Sequence, residues 1–268
     1  MRFPTLFLSH GGGPWPWMKD EWQGAYDLLR AALSRVPDEI GRRPDAVLMV
    51  SAHWEEAVFT AQSHPAPGMI YDYGGFPDYT YGIRYPAPGT PRLAQRVQEL
   101  LRAQGIAVAE DRERGFDHGM YAPMAVMYPE ADMPTMQLSL RRGLDPREHL
   151  ALGRALAPLR DEGVLIVGSG LSYHNLRAFG PAGRQASAAF DQWLDASLAK
   201  TGAERSAALI EWDKAPAARQ AHPREEHLLP LMVAVGAAEH DAASRTYHED
   251  AFFGALSVSN WCFGMPAR

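Results

Sequence analysis

The chain is poor in cysteine, with Cys262 as the single example among 268 residues. A disulfide framework or a cysteine-based zinc site needs several thiols, so one chain can form neither. The sequence also lacks a cluster of lysines and arginines, and no apolar run approaches the ~20 residues that cross a bilayer. Together with a formal net charge of −6, these absences argue against a nucleic-acid or membrane partner.

The N-terminal residues show no secretory signal. The strand-like run at 3–9 begins at once, without the charged segment and apolar core of a signal peptide. A single thiol is also typical of a reducing compartment. We therefore expect a cytoplasmic protein.

Short apolar runs alternate with segments of helical periodicity along the chain. This alternation predicts an α/β fold of three layers, in which helices flank a mostly parallel central sheet, built as one domain over residues 1–268. Strands are predicted at 3–9, 46–52, 57–62, 106–109, 134–140, 164–168 and 252–262. Helices are predicted at 21–36, 93–103, 122–127, 145–159, 187–199, 204–213 and 227–238.

Histidines stand where several predicted strands end. His10 ends the first strand, His53 ends the second, and His174 follows the glycine turn after the strand at 164–168. Open α/β sheets bind their ligands outside the carboxyl ends of the strands. A lone histidine at such a place is more often structural, but three at one edge predict a metal site. His227 opens an apolar helix, and we include it as a fourth candidate ligand.

The other histidines carry weaker signals. His118 lies in a glycine-flanked loop, where a surface turn is the plain interpretation. Four more stand in polar or loop contexts and are predicted to be solvated; they are His64, His149, His240 and His248.

A long segment, residues 64–91, is rich in proline, glycine and tyrosine and shows no steady period. A segment of that length inside a compact domain is usually a functional loop or lid. Its aromatic side chains could close over an aromatic ring, or they could only pack the loop onto the sheet. The residues in question are Tyr71, Tyr73, Phe76 and Tyr85.

Seven short motifs point to one family. They are Ser-His-Gly-Gly-Gly-Pro, Val-Ser-Ala-His-Trp, Tyr-Gly-Gly-Phe-Pro, Tyr-Pro-Ala-Pro-Gly, Gly-Phe-Asp-His-Gly, Ser-Gly-Leu-Ser-Tyr-His-Asn-Leu and Glu-His-Leu-Leu-Pro-Leu. In this order, from residue 5 to about 260, they resemble the class III extradiol ring-cleavage dioxygenases, and especially the branch of 4,5-DOPA extradiol dioxygenases.

The resemblance implies a non-haem enzyme that uses Fe(II) and O2 to open the ring of a catechol. It implies that His10, His53 and His227 are metal ligands. His174 matches a histidine that serves either as a ligand or as an acid/base, and His118 matches one that lines the pocket beside the catechol. We expect one of His118 and His174 to accept the catechol proton and the other to return a proton during ring opening.

Two departures from the family pattern bear on substrate and metal. The family usually has Gly-His-Gly-Ser-Pro where this chain has Ser9-His10-Gly-Gly-Gly-Pro, followed by an added Trp-Pro-Trp. Iron sites also commonly combine two histidines with one carboxylate, whereas the third motif position here is His227, with Glu225 and Glu226 beside it. The identity of the catechol, and any place for a carboxylate among the ligands, stay open, as does a homo-oligomer.

Two alternatives remain open at this stage. Zn(II) could occupy the same nitrogen-rich site and activate water for a hydrolase, with Glu225, Glu226 or Asp117 as the base. A non-catalytic metal-binding homologue is the other. A serine hydrolase is disfavoured because Ser169 lies in Gly-Ser-Gly and not in Gly-x-Ser-x-Gly.

Overall fold

The computed structural model describes residues 2–18 and 21–265. Within these residues one sheet of eight strands has the order β4-β3-β5-β2-β6-β1-β8-β7. The strands are β1 (Thr5–Ser9), β2 (Ala46–Glu56), β3 (Phe59–Gln62), β4 (Val108–Asp111), β5 (Thr135–Arg141), β6 (Val164–Gly170), β7 (Ala243–Phe252) and β8 (Leu256–Phe263).

The same part of the chain forms eight α-helices, most of which connect consecutive strands. They are α1 (Asp27–Ile40), α2 (Pro91–Ala103), α3 (His118–Met127), α4 (Pro146–Leu156), α5 (Arg184–Leu198), α6 (Gly202–Ile210), α7 (Ala218–Ala221) and α8 (Leu229–Ala237). No helix among the described residues is long and apolar enough to cross a membrane.

The centre of the sheet is parallel. β6 pairs in parallel with β1 and β2, and β2 pairs in parallel with β5, whereas β8 runs antiparallel to both β1 and β7. The α/β fold with a mostly parallel sheet is therefore confirmed. In this register Ser9 lies beside Gly170, and Ser51 lies beside Ser169. The carboxyl ends of β1 and β6 therefore lie at the same edge of the sheet, next to the C-terminal part of β2.

The central strands are buried along their whole length, which explains why they read as continuous apolar runs. α8 is buried at every position and packs against β6 and β1. Glycine makes this approach possible, because a Cβ on Gly168 would collide with the backbone of Pro230, and one on Gly170 would collide with the backbone of His227. The Gly-Ser-Gly motif is thus a packing feature that seats α8 and the segment before it.

The C-terminal region differs from the sequence-based prediction. In place of one strand at 252–262, β7 and β8 form an antiparallel hairpin. β7 was missed because it is an edge strand with many exposed polar side chains, so it carries little apolar pattern.

The starts of two helices also differ. The first helix begins at Asp27, since the predicted first turn contains Gly24 with φ +82° and forms turns instead. α3 begins at His118 itself, so this histidine is the first residue of a helix and not part of a surface loop.

The prediction that His149 is solvated was wrong, whereas His240 and His248 are exposed and His64 is half-buried. The ring of His149 is fully buried; its Nδ1 lies 2.8 Å from the carbonyl oxygen of Asp145, and its Nε2 accepts from the backbone N–H of Arg141 at 3.3 Å. Burial lowers the pKa of His149 to about 4.

We expect His149 to make the fold sensitive to acid. The unfolded chain takes up this proton near pH 6.5 and the folded chain only near pH 4, so stability is lost as the pH falls through that window. Between pH 7 and pH 5 this one group should lower the free energy of unfolding by about 2 kcal/mol. Urea unfolding with a chelator present measures this loss. Between pH 7 and pH 5, His149→Gln should lose about 2 kcal/mol less of its free energy of unfolding than wild type.

The exposed His240 provides the control for this measurement. His240→Gln should show the same pH dependence as wild type, since an exposed imidazole is solvated in both states. Equal losses in wild type and His149→Gln would contradict the assignment.

Candidate metal centre

Three imidazoles meet at the edge of the sheet where the parallel strands end. The ligand nitrogens of His10, His53 and His227 all lie within 4.8 Å of one another. The Nε2 atoms of His10 and His53 are 3.1 Å apart, and the ring of His227 lies 5.2 Å from that of His10 and 4.9 Å from that of His53. Of the three strand-end histidines, His10 and His53 therefore converge as expected. The third ring at this point belongs to His227, the candidate that opens the apolar helix, and not to His174.

Each histidine reaches this point by a different local structure. His10 follows β1 directly, and its backbone N–H donates to the carbonyl oxygen of Gly170 at 3.1 Å. His53 lies inside β2 and not after it, at an irregularity where the register with β5 shifts between Val50 and Glu55. His227 precedes α8, and its carbonyl oxygen accepts from Leu171 N–H at 3.1 Å.

The Nδ1 atoms of these rings face other polar groups. His10 Nδ1 lies 3.1 Å from Ser169 Oγ, and His227 Nδ1 lies 2.8 Å from Glu226 Oε1. His53 Nδ1 lies 3.5 Å from Asp72 Oδ2. Partners of this kind fix the orientation of a metal-binding imidazole and leave Nε2 for the ion.

A buried nitrogen without a partner supports the fit to a metal. His227 Nε2 is buried and has no hydrogen-bond partner in the described part of the chain, a costly arrangement for a polar atom. A divalent ion bound jointly by the Nε2 atoms of His10, His53 and His227 would satisfy it. The donor set is one that zinc and non-haem iron both accept.

The protonation state of the three rings also suits a metal. Burial, reinforced by the neighbouring histidines, holds the pKa of His10 and of His227 well below the ordinary value. Burial likewise lowers the pKa of His53, to about 4. All three are therefore neutral at pH 7, which is the form that binds a cation.

His118 stands beside the three rings and is held by a carboxylate. Its ring centroid lies 4.0 Å from that of His53 and 5.2 Å from that of His10. Asp72 Oδ1 lies 2.8 Å from His118 Nδ1 and accepts from the backbone N–H of His118 at 3.1 Å. Asp72 thus holds His118 by both its ring and its backbone.

His174 lies on the other side of the cluster, stacked on His227 with ring centroids 3.3 Å apart. Its Nδ1 is 3.2 Å from Glu226 Oε1. Its ligand atoms group with those of Glu226 and His227, and not with the pair formed by His10 and His53. Of the four candidate ligands, His174 is thus the one set apart from the shared point.

The sequence analysis missed Asp72. This carboxylate comes from the long loop at 64–91, between Tyr71 and Tyr73. Burial opposes its ionisation, but the hydrogen bonds with the ring and the backbone N–H of His118 favour the carboxylate, and the pKa of Asp72 lies below its usual value. An acidic residue directly before the Tyr-Gly-Gly-Phe-Pro motif was the available signal.

A cavity of about 460 Å³ opens next to the histidines, and we call it the catalytic cavity. Part of its lining consists of the histidines, Asp72 and the segment from Gly11 to Gly13. Another part, which we call the aromatic wall, consists of Trp22, Tyr26, Phe179, Phe252 and Phe253.

The aromatic residues of the long loop were expected either to close over an aromatic ring or to pack the loop, and the structure shows examples near the cavity and examples that pack. Phe76 lines the catalytic cavity, and the ring of Tyr73 lies 5.9 Å from that of His118. The hydroxyl of Tyr71 donates to Ile83 O within the loop at 2.7 Å. Tyr85 is buried and donates to Tyr128 O at 2.8 Å. Of the two alternatives, Tyr85 therefore packs the loop, which it anchors to the body of the protein.

The candidate bases of a zinc hydrolase are otherwise engaged. Asp117 is buried and accepts from Ser51 at 2.7 Å and from Arg114 at 3.0 Å. Glu225 pairs with Arg219, and Glu226 faces two histidines. Among the described residues none of these three carboxylates lines the catalytic cavity, which disfavours the hydrolase.

Comparison with known proteins decides the family. Residues 4–262 match the family described as the catalytic LigB subunit of aromatic ring-opening dioxygenase. The chain belongs to this family. It is therefore an enzyme, an extradiol dioxygenase that acts on a small aromatic substrate with O2, and its family is non-haem and metal-dependent.

Individual relatives agree over nearly the full length. The chain is 39% identical to a 4,5-DOPA dioxygenase extradiol of Beta vulgaris, over 97% of this chain and 96% of that protein. It is 37% identical to the Escherichia coli K12 protein of the same name, over 88% of this chain and 85% of that protein. A crystal structure of an uncharacterised Escherichia coli K12 protein superposes with a TM-score of 0.80 at 32% identity, covering 98% of this chain and 100% of the other.

We expect loss of metal when any one of the three converging rings is removed. His10→Ala, His53→Ala and His227→Ala should each weaken metal binding by at least about 100-fold. Ser169→Ala removes the partner of His10 Nδ1, together with the hydrogen bond that Ser169 Oγ donates to Gly119 O, and should weaken it by about 10-fold. Metal content after dialysis against a graded chelator measures this. His240→Ala, on the exposed surface, should retain metal like wild type, and full loading of the His10 and His53 variants would contradict the ligand set.

Proposed function

We propose that His10, His53 and His227 bind one Fe(II) ion and that the enzyme opens a catechol ring beside its two hydroxyl groups. The observation that carries this proposal is the arrangement of the five histidines. Three neutral rings direct nitrogen at one point, and His118 and His174 stand on either side of it in a cavity that can hold one aromatic ring.

Fe(II) bound on one face by three protein ligands would offer open positions for both catechol oxygens and for O2. Zn(II) would fit the same nitrogen donors but has no redox chemistry. The carboxylate of Glu226 lies 2.8 Å from His227 Nδ1. It therefore supports the third histidine from behind, and we assign the third ligand to His227 itself.

We assign the base to His118. Its Nδ1 faces the ionised Asp72 at 2.8 Å, so the Nδ1 proton stays with that pair and Nε2 is free to accept the proton of a catechol hydroxyl. The carboxylate also stabilises the imidazolium that forms, as the acidic member of a catalytic triad does.

We assign the returning acid to His174. Its side chain is 20% exposed, against 7% for His118, so it can exchange protons with solvent. Glu226 holds its Nδ1 at 3.2 Å, which orients the ring over the cavity. The separation of His174 from His10 and His53 supports acid/base work over metal binding.

For the wider organisation we retain the sequence-based expectations as proposals. We propose a single catalytic unit over residues 1–268 with helices on both faces of the sheet; the packing of α8 against β6 and β1, and of α3 against β2 and β6, supports the three-layer arrangement. The cytoplasmic location and a homo-oligomeric state stay predictions.

Anaerobic loading with Fe(II), followed by O2 uptake against a panel of catechols, tests the function. We expect O2 consumption matched by a yellow ring-opened semialdehyde, and no such product from protein loaded with Zn(II). Iron-loaded protein that opens none of the catechols would contradict the proposal. Ester or amide cleavage with zinc and without O2 would favour the hydrolase.

Asp72 should act as a positioning residue for His118. Asp72→Asn removes the charge that orients and stabilises the ring, so kcat at saturating metal should fall by at least about 10-fold, with KM near that of wild type. Because Asp72 also faces His53 Nδ1 at 3.5 Å, metal affinity should fall too, by about 10-fold. Asp72→Glu should recover part of the rate. Asp78→Asn, an exposed change on the same loop, should leave kcat unaltered, and an unaltered kcat in Asp72→Asn at saturating metal would contradict the positioning role.

A further inference from the structure

The lining of the catalytic cavity has two chemically different parts. Histidines and Asp72 form the reacting part, and the rings of the aromatic wall form the other. A catechol with its hydroxyls at the histidines would direct a ring substituent toward that wall. The wall therefore decides which substituent is accepted.

The wall is a continuous cluster of rings centred on Phe253. Its ring lies 5.1 Å from Phe179, 5.3 Å from Tyr26 and 5.7 Å from Trp22. Contacts at these distances are favourable edge-to-face packing. The cluster is thus a preformed and mainly apolar surface. Its polar atoms are the Tyr26 hydroxyl, which accepts from Gly12 N–H at 2.9 Å, and the buried Trp22 Nε1–H, which has no hydrogen-bond partner among the described residues.

The backbone at Phe253 supports a functional role for this surface. Phe253 has φ +50°, a conformation that is unfavourable for a bulky side chain, in the turn between β7 and β8. Such strain concentrates at sites where a side chain must be aimed. Here it turns the ring of Phe253 into the cavity beside the buried Phe252.

The charges around the cavity agree with its shape. Among the described residues that line it, none is a lysine or an arginine, and the carboxylate, Asp72, is engaged with His118. Arg177 and Arg224 line an adjoining cavity that shares His174 and Leu176 with this one, and Arg224 is paired there with Glu55 at 2.5 Å. A carboxylate lying against the aromatic wall would lose its water without a cationic partner among the residues that line the catalytic cavity.

We propose that the substrate is a catechol whose ring substituent is uncharged and apolar, an alkyl or aryl chain that lies along the aromatic wall. This inference rests on the proposed function and narrows it. The substrate of this chain would then differ from DOPA, the catechol in the names of several relatives, because the side chain of DOPA carries a carboxylate and an ammonium group. Leu176, which is 72% exposed and lines the cavity, marks the rim where the substituent leaves.

A matched pair of substrates tests the proposal on the iron-loaded enzyme. 4-Propylcatechol and 3-(3,4-dihydroxyphenyl)propionate have chains of similar length and differ in the carboxylate. We expect kcat/KM to favour 4-propylcatechol by at least about 100-fold, and DOPA to be as poor as the propionate. An equal or reversed preference, or a preference for dopamine over 4-propylcatechol, would overturn the inference while leaving ring cleavage intact. If the iron-loaded enzyme turns over no catechol, including unsubstituted catechol, both the proposed function and this inference are overturned.

Variants at the rim give an independent test. Leu176→Arg places a cation within the lining of the catalytic cavity, at an exposed position, and should shift the ratio of kcat/KM values by about tenfold toward the propionate. Leu28→Arg makes the same substitution at an exposed leucine of α1 that does not line the cavity. This control should leave the ratio unaltered. Equal shifts in both variants would overturn the inference, as would a loss of propionate turnover in Arg177→Ala, since that arginine would then be binding the carboxylate.

Discussion

The parallel pairing of β6 with β1 and β2 is the constraint on which the metal centre depends. In that register Ser9 lies beside Gly170 and Ser51 beside Ser169, so the ends of β1 and β6 coincide at the point where β2 carries His53. A slip of one residue would turn every side chain of a strand to the opposite face. Burial of both faces of the central strands makes such a slip costly, and the positions of the histidines are correspondingly fixed.

Close backbone packing supplies the third ring of the cluster. β6 carries glycine at 168 and 170, and α8 with the segment before it approaches so closely that any side chain there would strike the backbone of Pro230 or His227. The hydrogen bond from Leu171 N–H to His227 O completes this seat. The residues that look like a weak nucleophile motif in the sequence thus serve to bring a histidine to the metal.

The carboxylates that face the histidine rings give these chemically identical side chains different roles. His118 faces Asp72, and His174 shares Glu226 with His227. Asp72 belongs to the long loop at 64–91, which Tyr85 anchors through its hydrogen bond to Tyr128 O. Closure of the reacting part of the cavity therefore depends on a loop that has no regular secondary structure over most of its length, and the orientation of His118 depends on that loop being seated.

The sequence by itself determined the fold class, the alternation of strands and helices, and the set of five histidines, because buried strands and strand-end ligands leave local patterns. It did not reveal β7, whose exposed edge position gives no apolar pattern, nor the burial of His149. Only the tertiary structure decided that Asp72 reaches His118, that His174 stacks on His227 apart from His10 and His53, and that Trp22, Phe179 and Phe253 form one wall. Those contacts join residues distant in the chain, and their geometry is set by packing between elements, which no local sequence pattern records.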